Sequence, residues 1–135
     1  MTVQLTPSLN GYTPNRTDSG IRQDCSIDIG NRERIFHVFL PSAYDGTRKL
    51  PLLISLHGFG GYRPEREYWF YTAEREGFIA VYPEALKEEK WNIWGLQKKA
   101  GSPDDITFLD GVIDYMTARF AVDPARIYMH GQSMG

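Results

Sequence analysis

The sequence contains a single cysteine, Cys25, among its 135 residues. One cysteine excludes an internal disulfide and any metal cluster built on several thiolates, so Cys25 is expected as a small apolar residue in or beside a strand. Charge of one sign is also lacking: 15 Lys and Arg stand against 17 Asp and Glu, with no basic block. Gripping a phosphate backbone takes a basic stripe, so no nucleic-acid partner is expected. No apolar run approaches the roughly 18 residues of a membrane-crossing helix, and no membrane partner is expected. The first residues lack the basic segment and apolar segment of a secretory signal. If Met1 is the true start, the expected compartment is therefore the cytoplasm, and the sequon Asn15-Arg16-Thr17 carries no meaning outside a glycosylating pathway. Repeats and low-complexity segments are absent too.

What is present is the pattern of a layered α/β domain. Hydrophobic residues make up 41% of the chain, enough to bury a core. Met1 to Gly20 is polar and broken by Pro7, Gly11 and Pro14, and is expected to be a poorly ordered lead-in to a domain spanning residues 21–135. Ser26 to Ile29, the turn Gly30-Asn31, and Arg32 to Leu40 spell a β-hairpin. Phe36, Val38 and Leu40 share one face of it; Ile35, His37 and Phe39 share the other.

Leu50 to Leu56 is apolar without alternation, as expected of a parallel strand covered on both faces. Pro64 to Glu76 fits a helix stopped by Gly77, with Tyr68, Trp69, Tyr71 and Thr72 toward the sheet. Phe78 to Tyr82 is a second buried strand, closed by Pro83. Ser102-Pro103-Asp104-Asp105 opens another helix with capping-box spacing, and Ile106, Leu109, Ile113, Met116 and Phe120 form its expected apolar face. Capping and the helix dipole account for the two carboxylates better than acid–base catalysis does. Asp123 to Arg126 then turns the chain into a last strand, Ile127 to His130. The expected fold class is α/β: a hairpin followed by β-α-β-α-β in a mostly parallel sheet.

Two glycine-rich stretches carry the chemistry. The last strand runs into Gly131-Gln132-Ser133-Met134-Gly135, the Gly-x-Ser-x-Gly pattern of a nucleophile elbow. A sharp strand-to-helix turn exposes the Ser hydroxyl, and the glycines are needed where a Cβ would collide with neighbouring backbone. Ser133 is the candidate catalytic nucleophile. The second stretch, His57-Gly58-Phe59-Gly60-Gly61, follows a buried strand and lets backbone amides face a ligand. Trp91 and Trp94 lie just past a strand C-terminus, where open α/β sheets place their ligands; they are candidates to line a substrate cleft, or else cover the edge of the core. No metal-ligand set and no cofactor motif is evident.

In the order of these motifs the chain resembles an α/β hydrolase, and more narrowly the polyhydroxybutyrate-depolymerase and feruloyl-esterase group, similar to carbohydrate esterase family 1. The residues that carry the resemblance are Arg34 to Pro41, Pro51 to Gly58, Gly77-Phe78 with Tyr82-Pro83, Trp91, Asp105 to Leu109, Asp123 to Tyr128 and Gly131 to Gly135. The resemblance implies hydrolysis of a carboxylic ester through an acyl-enzyme on Ser133, with the backbone N–H groups of Phe59 and Met134 as the oxyanion hole. It implies no cofactor, a small or polymeric ester as partner, and extracellular location as the alternative to the cytoplasm. A peptidase or acyltransferase of the same fold, and a non-catalytic binding or scaffold protein, are the competing readings. In this fold the triad Asp and His follow the Ser in sequence, and nothing here follows Gly135. His57 and His130 are not expected to serve as the base, so the chain is expected to be the N-terminal half of such an enzyme, inactive by itself.

Overall fold

The structure, a computed structural model, describes residues 5–7, 20–58, 61, 69–86, 91, 104–133 and 135. Its elements in chain order are β1 (Leu5–Pro7), β2 (Ile21–Ile29), β3 (Arg32–Leu40), β4 (Leu50–Leu56), α1 (Phe70–Glu76), β5 (Ile79–Pro83), α2 (Asp105–Arg119) and β6 (Val122–Gly131). The strands form one six-stranded sheet in the order β1-β2-β3-β5-β4-β6. Strands β1, β2 and β3 run antiparallel to their neighbours, and β4 pairs in parallel with both β5 and β6. This is the expected α/β fold: a hairpin joined to a parallel β-α-β-α-β.

The hairpin turns where the sequence places it. Gly30 and Asn31 both have positive φ, 57° and 63°, the backbone that matches a two-residue turn to the right-handed twist of its strands. β2 extends back to Ile21, and of the expected lead-in Leu5–Pro7 add a strand along it. Residues 1–4 and 8–19 lie outside the described residues.

Alternation along β3 divides the core. Phe36, Val38 and Leu40 join Cys25, Ile27, Leu52, Ile54, Ile79 and Val81 in a cluster under Phe108, Val112, Tyr115 and Met116 of α2. Phe39 points to the other face and packs with Ala80, Tyr82, and Phe70 and Ala73 of α1. The helices thus cover opposite faces, and all five residues of β5 are buried between them.

Both helices bury part of the stripe their spacing suggests, Trp69 before α1 and Ile113, Met116 and Phe120 on or just after α2, but the buried faces are turned from it. On α1, Phe70 and Ala73 are inside while Tyr71 is exposed, because the Phe70 ring packs 4.9 Å from Phe39 and 5.4 Å from Tyr82. On α2, Ile106 is exposed and Phe108, Val112, Tyr115 and Met116 are buried. The rotation follows from close approach: a Cβ on Gly111 would lie 3.0 Å from Ile27, so that side of the helix must sit against β2. α1 stops at Gly77, whose φ of 77° forms the left-handed cap. The expected turn at Asp123 to Arg126 is instead a bulge within β6. Leu50 pairs with Val122 and Leu52 with Ile127, so extra residues on β6 loop out between them.

Candidate active site

β6 ends at Gly131 and the chain reverses at once. The amide of Gln132 donates to Leu56 O of β4 at 3.2 Å, and that of Gly135 donates to Gln132 O at 2.9 Å. Between them Ser133 has φ of 56°, a left-handed backbone that costs a residue bearing a Cβ about 1–2 kcal/mol. The glycines explain how so tight a turn fits. A Cβ on Gly131 would come within 2.4 Å of the Gly135 carbonyl, and one on Gly135 within 2.3 Å of Leu56 O. The Gly-x-Ser-x-Gly spacing is therefore a steric requirement of packing this turn on β4. Ser133 itself is exposed.

The end of β4 meets the elbow directly. A Cβ on Gly58 would stand 3.1 Å from Gln132 O and 3.3 Å from the Ser133 Cβ, so only a glycine backbone lies this close without displacing the serine. His57, just before it, is held on several sides. Its Nε2 accepts the Ala85 N–H at 2.9 Å, which leaves the proton on Nδ1 to donate to Gly58 O at 2.8 Å. Its carbonyl accepts the indole N–H of Trp91 at 2.8 Å, and the Trp91 ring lies 4.9 Å from the imidazole at 30°. Trp91 is 7% exposed and packs in the core cluster.

All three histidines of the sequence are engaged elsewhere than at the Ser133 hydroxyl. His37 lies between two carboxylates, Asp24 Oδ1 at 2.6 Å from Nδ1 and Glu84 Oε2 at 2.7 Å from Nε2. His130 Nδ1 accepts from the Trp69 indole N–H at 3.4 Å and lies 3.4 Å from Ser55 Oγ, its cross-strand neighbour. The carboxylates at the start of α2 divide their work. Asp104 caps the helix, accepting the Thr107 N–H at 3.0 Å. Asp105 forms a buried ion pair with Arg34 at 2.7 Å, and the guanidinium lies over the Phe108 ring at 4.0 Å. Burial pulls Arg34 below the usual guanidinium range, and the bond to Asp105 opposes it. This pair links residues 71 apart, and local spacing holds no signal for it.

Among the described residues, no group of three or more His, Cys, Asp and Glu is arranged to hold a metal, and no helix is long and apolar enough to cross a membrane. Phe59, Trp94 and Met134, named from the sequence as oxyanion donors and substrate contact, lie outside the described residues. The arrangement that remains is an exposed hydroxyl on a strained turn, packed against the backbone of Gly58.

No protein-family model matches the chain. A bifunctional acetylxylan esterase/xylanase of Neocallimastix patriciarum is 33% identical over 106 residues, covering 76% of this chain and 14% of that protein. A feruloyl esterase B of Piromyces equi is 31% identical over 101 residues, covering 73% and 19%. The chain thus spans under a fifth of the length of these two curated relatives. Among solved structures, an S-formylglutathione hydrolase from Agrobacterium tumefaciens superposes with a TM-score of 0.69 at 17% identity, covering 89% of this chain and 51% of the other, a likeness of fold.

Proposed function

Because the chain belongs to the esterases of the α/β-hydrolase superfamily, with feruloyl and acetylxylan esterases as its relatives, we propose that it carries the nucleophile of a carboxylic ester hydrolase. Ser133 attacks the ester carbonyl, expels the alcohol and forms an acyl-enzyme, which water then cleaves. The amides of Phe59 and Met134 take the negative charge of the tetrahedral oxygen. The substrate class is an acetylated or feruloylated polysaccharide, or a small ester of the same acids. An enzyme acting on such a polymer works outside the cell.

One observation carries this reading: Ser133 sits exposed at φ of 56° between two glycines that admit no Cβ. That conformation costs stability at an exposed serine, the kind of backbone strain that points to a role in function. The general base is assigned to a part of the protein outside these residues. Both ring nitrogens of His37 and of His57 are in hydrogen bonds, and His130 faces Trp69 and Ser55. The relatives, several times longer, have the length to supply a histidine and its orienting carboxylate.

The test is hydrolysis of p-nitrophenyl acetate and ethyl ferulate by the full-length protein and its Ser133→Ala variant. Loss of roughly 10⁴-fold or more in kcat is expected, the scale on which loss of a triad member is felt. Hydrolysis that survives the substitution unchanged would overturn the reading.

A further inference from the structure

We infer that the backbone of Gly58 is the stop that sets where Ser133 stands, with His57 and Trp91 as positioning residues that hold it there; the inference rests on the esterase reading. Among the described residues, positive φ falls on Gly30, Gly46, Gly61 and Gly77 and not on Gly58. An alanine at 58 therefore meets no left-handed backbone, and what it meets is the elbow. Its Cβ would lie 3.3 Å from the Ser133 Cβ, inside the roughly 3.5–4.0 Å at which carbon atoms rest, and 3.1 Å from Gln132 O. That oxygen belongs to the peptide that leads into Ser133, so both contacts press on the serine itself.

Neither side of the contact is free to withdraw. On the strand side, the Gly58 Cα lies between two carbonyls that are each held. His57 O accepts the Trp91 indole N–H at 2.8 Å, and Gly58 O accepts the His57 Nδ1–H at 2.8 Å. The imidazole is fixed in turn by the Ala85 N–H on Nε2 at 2.9 Å and by the Trp91 ring 4.9 Å away. On the elbow side, the Gln132 N–H is tied to Leu56 O at 3.2 Å, and Gln132 O accepts the Gly135 N–H at 2.9 Å. Gly135 sits so close that its own Cβ would be 2.3 Å from Leu56 O. The serine thus stands at a separation from β4 that two clamped backbones define. An attacking oxygen must be placed within a fraction of an ångström, and misplacement by about 1 Å can cost 10²-fold in rate.

The test is made on the full-length protein with p-nitrophenyl acetate, kcat being taken per burst-titrated active site. Gly58→Ala displaces the serine by a few tenths of an ångström and is expected to lower kcat about tenfold, with KM within about threefold. Inactivation by paraoxon, which phosphorylates an activated serine and needs no recognition of the ester, should slow by the same factor. Trp91→Phe keeps the ring and removes the N–H on His57 O, and should lower kcat by about threefold. Because both changes act through one backbone position, their costs should not multiply. A strand end released from Trp91 can withdraw from the new methyl, so the double variant should lose less than the product of the single losses.

An unchanged kcat in Gly58→Ala, a rise in KM alone, or losses that multiply in the double variant would overturn the inference. If Gly58→Ala does not fold, Trp91→Phe decides alone: kcat per site equal to that of the parent rejects it. The two readings fail differently. Hydrolysis that persists in Ser133→Ala removes the esterase reading, while activity that needs Ser133 but ignores Gly58 and Trp91 removes only this one.

Discussion

The backbone strain at Ser133 separates chemistry from stability at a single residue. Alanine and glycine both delete the hydroxyl, but only glycine adopts φ of 56° at no steric cost. Ser133→Gly is expected to be more stable than Ser133→Ala by about 1 kcal/mol in urea or thermal unfolding, with both inactive. Equal stabilities would mean that the turn relaxes once the hydroxyl is gone. Gly135→Ala acts in the opposite sense. Its Cβ would meet Leu56 O at 2.3 Å, a backbone atom that cannot rotate away, so a loss of about 1–3 kcal/mol is expected together with loss of activity.

Between elements, the contact with most at stake is the one that ties α2 to β3. Arg34 is 1% exposed, and its charge is tolerable there because Asp105 lies 2.7 Å away. Asp105→Ala leaves a buried guanidinium uncompensated and should cost about 3–5 kcal/mol in denaturant unfolding. The double variant Arg34→Met with Asp105→Leu should lose far less, since it removes the desolvated charges along with the bond; a loss equal to that of Asp105→Ala would contradict this. The loop between β3 and β4 adds an acid-sensitive contact. Asp45 accepts from the backbone N–H and hydroxyl of Thr47 and from Arg48 N–H, which together pull its carboxyl from 3.8 to about 2. A depressed carboxylate contributes stability above its unfolded value, lost as pH falls from about 4 toward 2. Asp45→Asn should flatten the acid limb of the stability profile in that window and leave pH 7 and above unchanged in slope.

At the scale of the whole molecule, the buried layer between the sheet and α2 predicts how the protein meets alkali and thiol reagents. Burial pushes the Cys25 thiol from 9.0 to about 11, and the Tyr115 hydroxyl from 10.0 to about 12. Both groups are held in their neutral form, so the stability they contribute is complete below about pH 9 and is lost as pH rises toward 11 and 12. The thiolate is the reactive species, and Cys25 is 2% exposed. Ellman's reagent at pH 8 should therefore label it only at the rate of unfolding, accelerating with urea in step with the loss of fold. Rapid labelling without denaturant would show that this layer opens locally.

What the sequence determined by itself is what local covalent geometry enforces. The elbow is legible because a reversal after a strand places the residues on either side of Ser133 against backbone, and only glycine lacks the Cβ that would collide. The hairpin is legible because Gly30-Asn31 tolerates two positive φ values, and β4 because a strand covered on both faces is apolar throughout. The tertiary structure decided what depends on distant partners. α2 carries apolar residues on more than one side, and the approach of Gly111 to Ile27 chose the side with Phe108 and Val112. His57 reads in the sequence only as the start of a glycine loop. Its tautomer comes from the Ala85 amide and its fixed carbonyl from Trp91, groups 28 and 34 residues away that only the packing of β4 beside β5 brings into hydrogen-bonding range.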